Sequence, residues 1–321
     1  MSVDPKIVLL SGGVGGAKFA EGLYHSRYSK NLSIIGNVAD DQEFHGLWVS
    51  PDIDTLTYTL ADVIDKNQGW GLSGETNHTL DALNRLGADT WMYLGDQDFA
   101  THIYRTQQRK LGIRPSLIAK HIAKRLGVKA DILLPTDDII QNQICTEKGR
   151  QDFQTYFVKD RCQGDVLDTN IVGIENASAT PEALSAIANA DLVLIAPSNP
   201  IVSINPILQI EGIGQEVKSS AAPVVAISPL IAGETVKGPA DKMMLASGLR
   251  SDAKGVADFY QGYVDTLIID SADKELAEEI QQNGLDVFVS NTLMTCRQSK
   301  VDLAEFVVRT ALETSRLAEV V

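Results

Sequence analysis

Short aliphatic and β-branched runs recur along the chain, and the stretches between them carry apolar residues at helical spacing. The runs at 7–10, 32–37, 91–94, 170–174, 191–196, 223–227, 264–269 and 286–289 are predicted strands. They are almost continuously apolar rather than alternating, as suits central strands covered on both faces. Strands that alternate with helical segments build a parallel sheet flanked by helices, so the pattern predicts an α/β fold. One region breaks the rhythm. From Phe99 to Gly127 the pattern is helical and locally basic, with Arg105, Arg109, Lys110 and Arg114 among its charges, and 144–146 with 153–158 around Lys148 and Gly149 then suggest a hairpin. Residues 99–165 are expected to form an inserted, mainly helical subdomain, with 1–98 and 166–321 as the core. The basic residues of the insertion are expected on a solvated helical face.

With 321 residues, 44% hydrophobic and 22% charged, the chain can bury a sizeable core and has the balance of a soluble globular protein. A formal net charge of −14 opposes non-specific binding to nucleic acid, which needs a basic surface, so any anionic ligand must be held by local positive groups. No secretion-type leader opens the sequence, and no apolar stretch approaches the ~18 residues of a membrane span, so a cytoplasmic protein without membrane contact is expected. Cys145, Cys162 and Cys296 lack metal-site spacing and are expected to be reduced thiols.

Candidate chemistry begins directly after the first predicted strand, at Ser11-Gly12-Gly13-Val14-Gly15-Gly16-Ala17-Lys18. Bare backbone before a helix offers a phosphate free N–H groups and the positive end of the helix dipole. The loop fits neither familiar template. Phe19 follows Lys18 where a nucleotidase loop has a magnesium-binding hydroxyl, and Lys18 stands where a dinucleotide loop has its third glycine. A tight strand-to-helix turn without a ligand is the alternative. Four glycines within five residues are entropically costly for a mere turn, which favours a phosphate on Gly12, Gly13, Gly15 and Gly16.

Ligands of open α/β sheets bind beyond the carboxyl ends of the strands, and polar segments gather there repeatedly. The segments are Asn37-Val38-Ala39-Asp40-Asp41, Ser50-Pro51-Asp52-Ile53-Asp54-Thr55, Gly95-Asp96-Gln97-Asp98 leading to His102, Pro197-Ser198-Asn199-Pro200, and Ser228-Pro229 followed by Lys237-Gly238-Pro239. Asp40, Asp41, Asp52 and Asp54 lie within fifteen residues, and clustered oxygens beside a phosphate suit Mg²⁺ bridging a diphosphate. Capping of the following helix is the alternative for Asp54 and Thr55. Asp96 and Asp98 would join the cation site or cap the helix through His102, which itself is either a structural histidine or an acid–base group. Ser198, Asn199 and Pro200 could read a base or a phosphate, or form a plain turn.

Taken in order, these segments, together with His45-Gly46-Leu47, Leu94-Gly95-Asp96-Gln97-Asp98-Phe99-Ala100-Thr101-His102 and Lys237-Gly238-Pro239-Ala240-Asp241, resemble the 2-phospho-L-lactate transferase family over about residues 7 to 242. The resemblance implies a Rossmann-like core with a smaller helical insertion, a requirement for Mg²⁺, a homodimer, and a step in assembling coenzyme F(420). In that step a guanosine-diphosphate-activated hydroxy acid gives its phospho-acid half to the ribityl hydroxyl of a deazaflavin alcohol, releasing GMP. The donor acid, derived from lactate, phosphoenolpyruvate or phosphoglycerate, is not indicated by any residue. By position the resemblance makes Asp54 and Asp52 candidate catalytic carboxylates and Asp54, Asp40 and Asp41 candidate metal ligands. Gly12, Gly13, Gly15, Gly16, Lys18, Asp96, His102, Ser198, Asn199, Pro200 and Ser228 become the candidate ligand-binding set.

Such a reaction is in-line phosphoryl transfer, in which positioning and charge neutralisation dominate. Replacing Asp54 with Asn is expected to lower turnover by orders of magnitude with little loss of fold. Two rivals are weighed against this. A uridine-diphosphate-sugar-binding regulator of the same superfamily would share the glycine loop. A nicotinamide-dependent oxidoreductase needs an acid at the end of the second strand, where Asn37 stands.

Overall fold

The computed structural model describes residues 4–318. Seven strands form the central sheet: β1 (Lys6–Ser11), β2 (Asn31–Gly36), β3 (Asp131–Leu133), β4 (Leu192–Ile195), β5 (Val224–Ile227), β6 (Thr266–Asp270) and β7 (Asp286–Ser290). Their order is β7-β6-β5-β4-β1-β2-β3, and every neighbouring pair is parallel. This is the Rossmann-type order 3-2-1-4-5-6 with a seventh strand added. The fold class is therefore the α/β sheet that the alternating pattern predicts. Ile7, Leu9, Leu10 and all of β4 and β5 are buried, as their unbroken apolar runs require.

Two predicted strands take other roles. Residues 91–94 are not a strand; Trp91 and Leu94 instead join Phe44, Val49, Leu80 and Phe99 in a separate small core, with Trp91 edge-on to Phe44 at 5.3 Å. The run near 170 is Asp168–Val172, which pairs antiparallel with Gln141–Thr146 in a three-stranded sheet completed by Gly149–Asp152. The hairpin around Lys148 is present, but its second arm is Gly149–Asp152, and 155–159 is helical. Within 99–165 the short β3 pairs with β2 in the central sheet, a contribution the sequence pattern does not show.

Three helices position the site: α1 (Gly13–His25), α2 (Pro51–Leu60) and α3 (Asp96–Lys110). α1 lies against α2 and against the C-terminal helix Arg297–Ala318. The close approach to the C-terminal helix needs Gly22, because a side chain there would collide with the Lys300 carbonyl. Chain connections leave β1 towards β2 and β4 towards β5, on opposite sides, so a crevice opens between the carboxyl ends of β1 and β4. Among the described residues no helix is long and apolar enough to cross a membrane.

Candidate active site

A cleft of about 370 Å³ occupies that crevice. Its floor is the junction of the loops after β1 and β4. The Ser198 hydroxyl donates to the Gly12 carbonyl (2.7 Å) and accepts from the Gly12 N–H (3.2 Å), so the two loops are fastened together. Packing explains three of the four glycines. A Cβ on Gly12 would lie 2.7 Å from the Ser203 Cβ and 2.9 Å from Asp52 Oδ2, one on Gly15 would strike the Pro197 carbonyl, and one on Gly16 would strike the hydroxyls of Ser11 and Ser198. Gly13 alone is required by conformation, at φ +63°. The entropic case for a ligand thus weakens, and the stronger one is electrostatic. α1 has no side-chain cap and no acid in its own first turn; Asp52 accepts from the Gly13 N–H, and the helix dipole with the remaining first-turn N–H groups is directed at the cleft.

The carboxylates separate into three environments. Asp54 lies in the first turn of α2 and receives both terminal nitrogens of Arg105 from α3, one at 3.0 Å. Arg105 is only 5% exposed, so its assignment to a solvated face is corrected: it is the buried counter-ion of Asp54. Burial would lower its pKa, but the Asp54 carboxylate outweighs that and raises it. His102, one turn before Arg105, is 1% exposed and stands between two acids, with Nδ1 3.8 Å from Asp54 Oδ2 and Nε2 3.3 Å from Asp98 Oδ1. The Tyr58 hydroxyl donates to Asp98 at 2.7 Å. Burial pushes the Asp98 carboxyl up, yet hydrogen bonds from His102 and Tyr58 and the nearby His102 and Arg105 charges bring it below the ordinary range. Ligand atoms of Asp54, Asp98 and His102 lie within 4.8 Å of one another.

Asp40 and Asp52 form the second environment, at the base of the glycine loop. Asn37 Nδ2 donates to Asp40 Oδ2 (3.2 Å) and to Asp52 Oδ2 (3.0 Å), and Asn142 Nδ2 donates to Asp40 Oδ1 (2.8 Å). The backbone amide of Gly13 also bonds Asp52. Burial, and for Asp40 then the charge of Asp52, raises both carboxyls above the normal range. Two buried like charges sharing one amide favour a proton held between them.

Asp41 and Asp96 point elsewhere. The Asp41 side chain accepts from Ser50 Oγ (2.6 Å) and Trp48 Nε1 (3.2 Å) and borders a small second hollow with Arg109, so the structure does not bring it to the cleft with Asp54 and Asp40. Asp96 accepts from the backbone N–H groups of His78 (3.1 Å) and Thr79 (2.9 Å), capping the helix His78–Arg85, while Glu75 returns the favour at Gln97 N (2.9 Å) and Asp98 N (2.8 Å). Asp96 thus neither faces the cleft nor caps the helix through His102, the two roles expected of it, but secures the start of a different helix. Asn199 Oδ1 accepts from Ile201 and Val202 N–H at 3.0 and 3.4 Å, which spends its carbonyl on the turn that follows. Ser228 likewise bonds the backbone of Leu230, although both residues border the cleft. Pro200 and Gly16 lie behind the cleft wall.

Two further groups of side chains complete the cleft, the second of which sequence reasoning passed over. Lys237 stands with Lys18 near the glycine loop. The lining also includes Trp70, Tyr93, Phe153 and Phe157, with Trp70 edge-on to Tyr93 at 5.8 Å and the two phenylalanines stacked at 5.4 Å. These aromatic residues are scattered over three segments, and only the fold assembles them.

A 2-phospho-L-lactate transferase from Methanocaldococcus jannaschii is 37% identical over 306 residues, 94% of this chain and 97% of that one. A phosphoenolpyruvate transferase from Streptomyces griseus is 37% identical over 314 residues, 96% of this chain and 98% of that one. A crystal structure of protein BH3568 from Bacillus halodurans, a member of the UPF0052 family, superposes with TM-score 0.62 at 14% identity over 95% of this chain and 99% of that one, a likeness of fold. Residues 7–305 match the family model of 2-phospho-L-lactate transferase CofD. With nearly the whole chain matched by that model and by relatives at this identity, the protein belongs to the 2-phospho-L-lactate transferase family.

Proposed function

We propose that the protein transfers the phospho-acid group of a guanosine-diphosphate-activated hydroxy acid to the ribityl hydroxyl of a deazaflavin alcohol, with GMP leaving. The observation that carries this reading is a cleft lined by two chemically different sets of groups. One set is the N-terminus of α1, Lys18 and Lys237, which suit a diphosphate. The other is Trp70, Tyr93, Phe153 and Phe157, which suit a flat heteroaromatic ring.

In the reaction the acceptor oxygen attacks the phosphorus that carries the acid, a new P–O bond forms, and the bridging P–O bond to GMP breaks. Amide groups of the glycine loop and the two lysines would stabilise charge building on the departing phosphate. The hydroxyl proton must leave as the bond forms, and the Asp40–Asp52 pair borders the cleft as its carboxylate sink. Mg²⁺ suits this chemistry, and the ligand atoms of Asp54, Asp98 and His102, all within 4.8 Å of one another, mark a polar site for it. Magnesium takes one or two carboxylates and completes its shell with water and phosphate oxygens. Asp54 and Asp98 would hold it, with His102 orienting them, and the ion would neutralise charge on the transferring group.

The test is to incubate the protein with the deazaflavin alcohol, Mg²⁺ and each of the lactate-, phosphoenolpyruvate- and phosphoglycerate-derived donors, and to weigh the fluorescent product. A mass gain of one phospho-acid group is expected with one donor and names the acid, a point on which the differently named relatives divide. No product from any donor, with tight binding of a uridine-diphosphate sugar instead, overturns the reading.

A further inference from the structure

The Lys237 Nζ donates to the Gln68 carbonyl at 2.6 Å, joining segments 169 residues apart across the mouth of the cleft. The loop that receives it is prefolded. Asp65 accepts from the N–H groups of Asn67 (2.8 Å) and Gln68 (3.2 Å) and from Gln68 Nε2 (3.0 Å), and the loop closes through Asp65 N to the Gly71 carbonyl at 3.0 Å. Gly69 at its tip faces both partners: a Cβ there would lie 3.2 Å from Val14 Cγ1, in the glycine loop, and 3.6 Å from Lys237 Nζ. Trp70 follows directly and borders the cleft.

The charge acting on Lys237 is another cation. Lys18 is partly buried and Lys237 lies at the surface; partial loss of hydration lowers the pKa of Lys237 first and the Lys18 charge lowers it further. Lys18 is lowered by burial and then by Lys300, while Glu21, which opposes this, is already engaged by Arg297 at 3.2 Å and Lys300 at 2.5 Å. The cleft carboxylates bond Asn37, Asn142, Arg105 and Tyr58 rather than either lysine. Two ammonium groups that border one cleft and repel each other are suited to share an anion. An ammonium has three donors, so Lys237 can hold the Gln68 carbonyl and a phosphate oxygen at once.

We propose that Lys237 and Lys18 form one subsite for a diphosphate, and that the Lys237–Gln68 bond already present closes the 65–71 loop and Trp70 against the cleft. The inference rests on the donor reading above and assigns it a residue and a closure. An anion on Lys237 tightens that closure by fixing the ammonium, and so holds an aromatic side chain in place for the second substrate.

The test titrates inorganic pyrophosphate and GDP, in magnesium-containing buffer, into the wild-type protein, Lys237→Met and Lys237→Arg by calorimetry, and follows amide hydrogen exchange of residues 65–71. Losing a charge-assisted bond is expected to weaken both probes by about tenfold or more in Lys237→Met. Lys237→Arg, which keeps the charge, is expected to retain most of the affinity. Both probes should slow exchange in the loop of the wild type and leave it unchanged in Lys237→Met. Equal affinities in wild type and Lys237→Met overturn the subsite while leaving the transferase reading intact. Unchanged loop exchange in the liganded wild type overturns the closure. Pyrophosphate binding that depends on Lys237, without GDP binding, sustains the subsite and overturns the guanosine donor; binding of neither probe overturns both.

Discussion

Arg105 holds Asp54 by both carboxylate oxygens beneath the cleft, joining α3 to the first turn of α2 across 51 positions of sequence. The pair fixes the carboxylate that the sequence singles out, and it makes that carboxylate part of the fold as well as part of the site.

Arg105→Met strands a buried carboxylate, and breaking a buried pair in this way typically costs about 3–5 kcal/mol. Urea unfolding should show that loss. Arg105→Lys should recover little of it, because an ammonium cannot donate in parallel to both oxygens. The expectation that Asp54→Asn spares the fold is revised for the same reason, since it leaves the guanidinium buried without its anion. The double variant Arg105→Met with Asp54→Asn should be more stable than Arg105→Met alone. Wild-type stability in Arg105→Met removes the buried-pair account.

Much of the framework was legible because parallel strands covered on both faces announce themselves as apolar runs. β1, β2, β4, β5, β6 and β7 all did so. β3 is three residues long and sits after two helices, so only its pairing with β2 identifies it. Residues 91–94 are apolar because they fill a satellite core, and composition does not distinguish that from a strand. At the site, chain proximity misled: Asp40 and Asp41 are adjacent in sequence but face different hollows. Arg105 looked like one of many surface cations, since a charge reveals its burial only through a distant partner.

Asp41 predicts a pH dependence. Burial pushes its carboxyl up to about 7, against hydrogen bonds from Ser50 and Trp48 and the Arg105 charge, which lower it. A folded value above the unfolded one means that the native state binds the proton more tightly. Its stabilising contribution is full below the unfolded value of 3.8 and is lost as pH rises through about 7. Asp41→Asn should flatten that decline, in urea titrations compared between acid and mildly alkaline pH. Parallel stability curves for the two proteins would show that Asp41 titrates normally.

Gly15 and Gly71 separate packing from conformation. Gly15→Ala places a methyl against the Pro197 carbonyl and forces α1 away from the loop after β4, whereas Gly71 has open space around it and only a positive φ of 68°. Gly71→Ala should cost about 1 kcal/mol of backbone strain. Gly15→Ala should cost more and also weaken pyrophosphate binding, because the loop it distorts carries the phosphate-facing amides. Calorimetry on both variants checks this, and equal pyrophosphate affinities would mean that the loop geometry does not matter to the anion.

The metal placement makes the sharpest contrast between sequence neighbours and spatial neighbours. If Asp54 and Asp98 hold Mg²⁺, Asp98→Asn should raise the magnesium concentration needed for half-maximal turnover by about 10- to 100-fold. His102→Ala should do so less, since an imidazole is a poor ligand for this hard ion and acts here by orienting the acids. Asp41→Asn should leave the magnesium requirement where it is, because Asp41 is committed to Ser50 and Trp48. Turnover measured across a magnesium titration decides among them. A large shift in Asp41→Asn with none in Asp98→Asn would return Asp41 to the metal site, with the Asp54 and Asp40 beside which the sequence had set it.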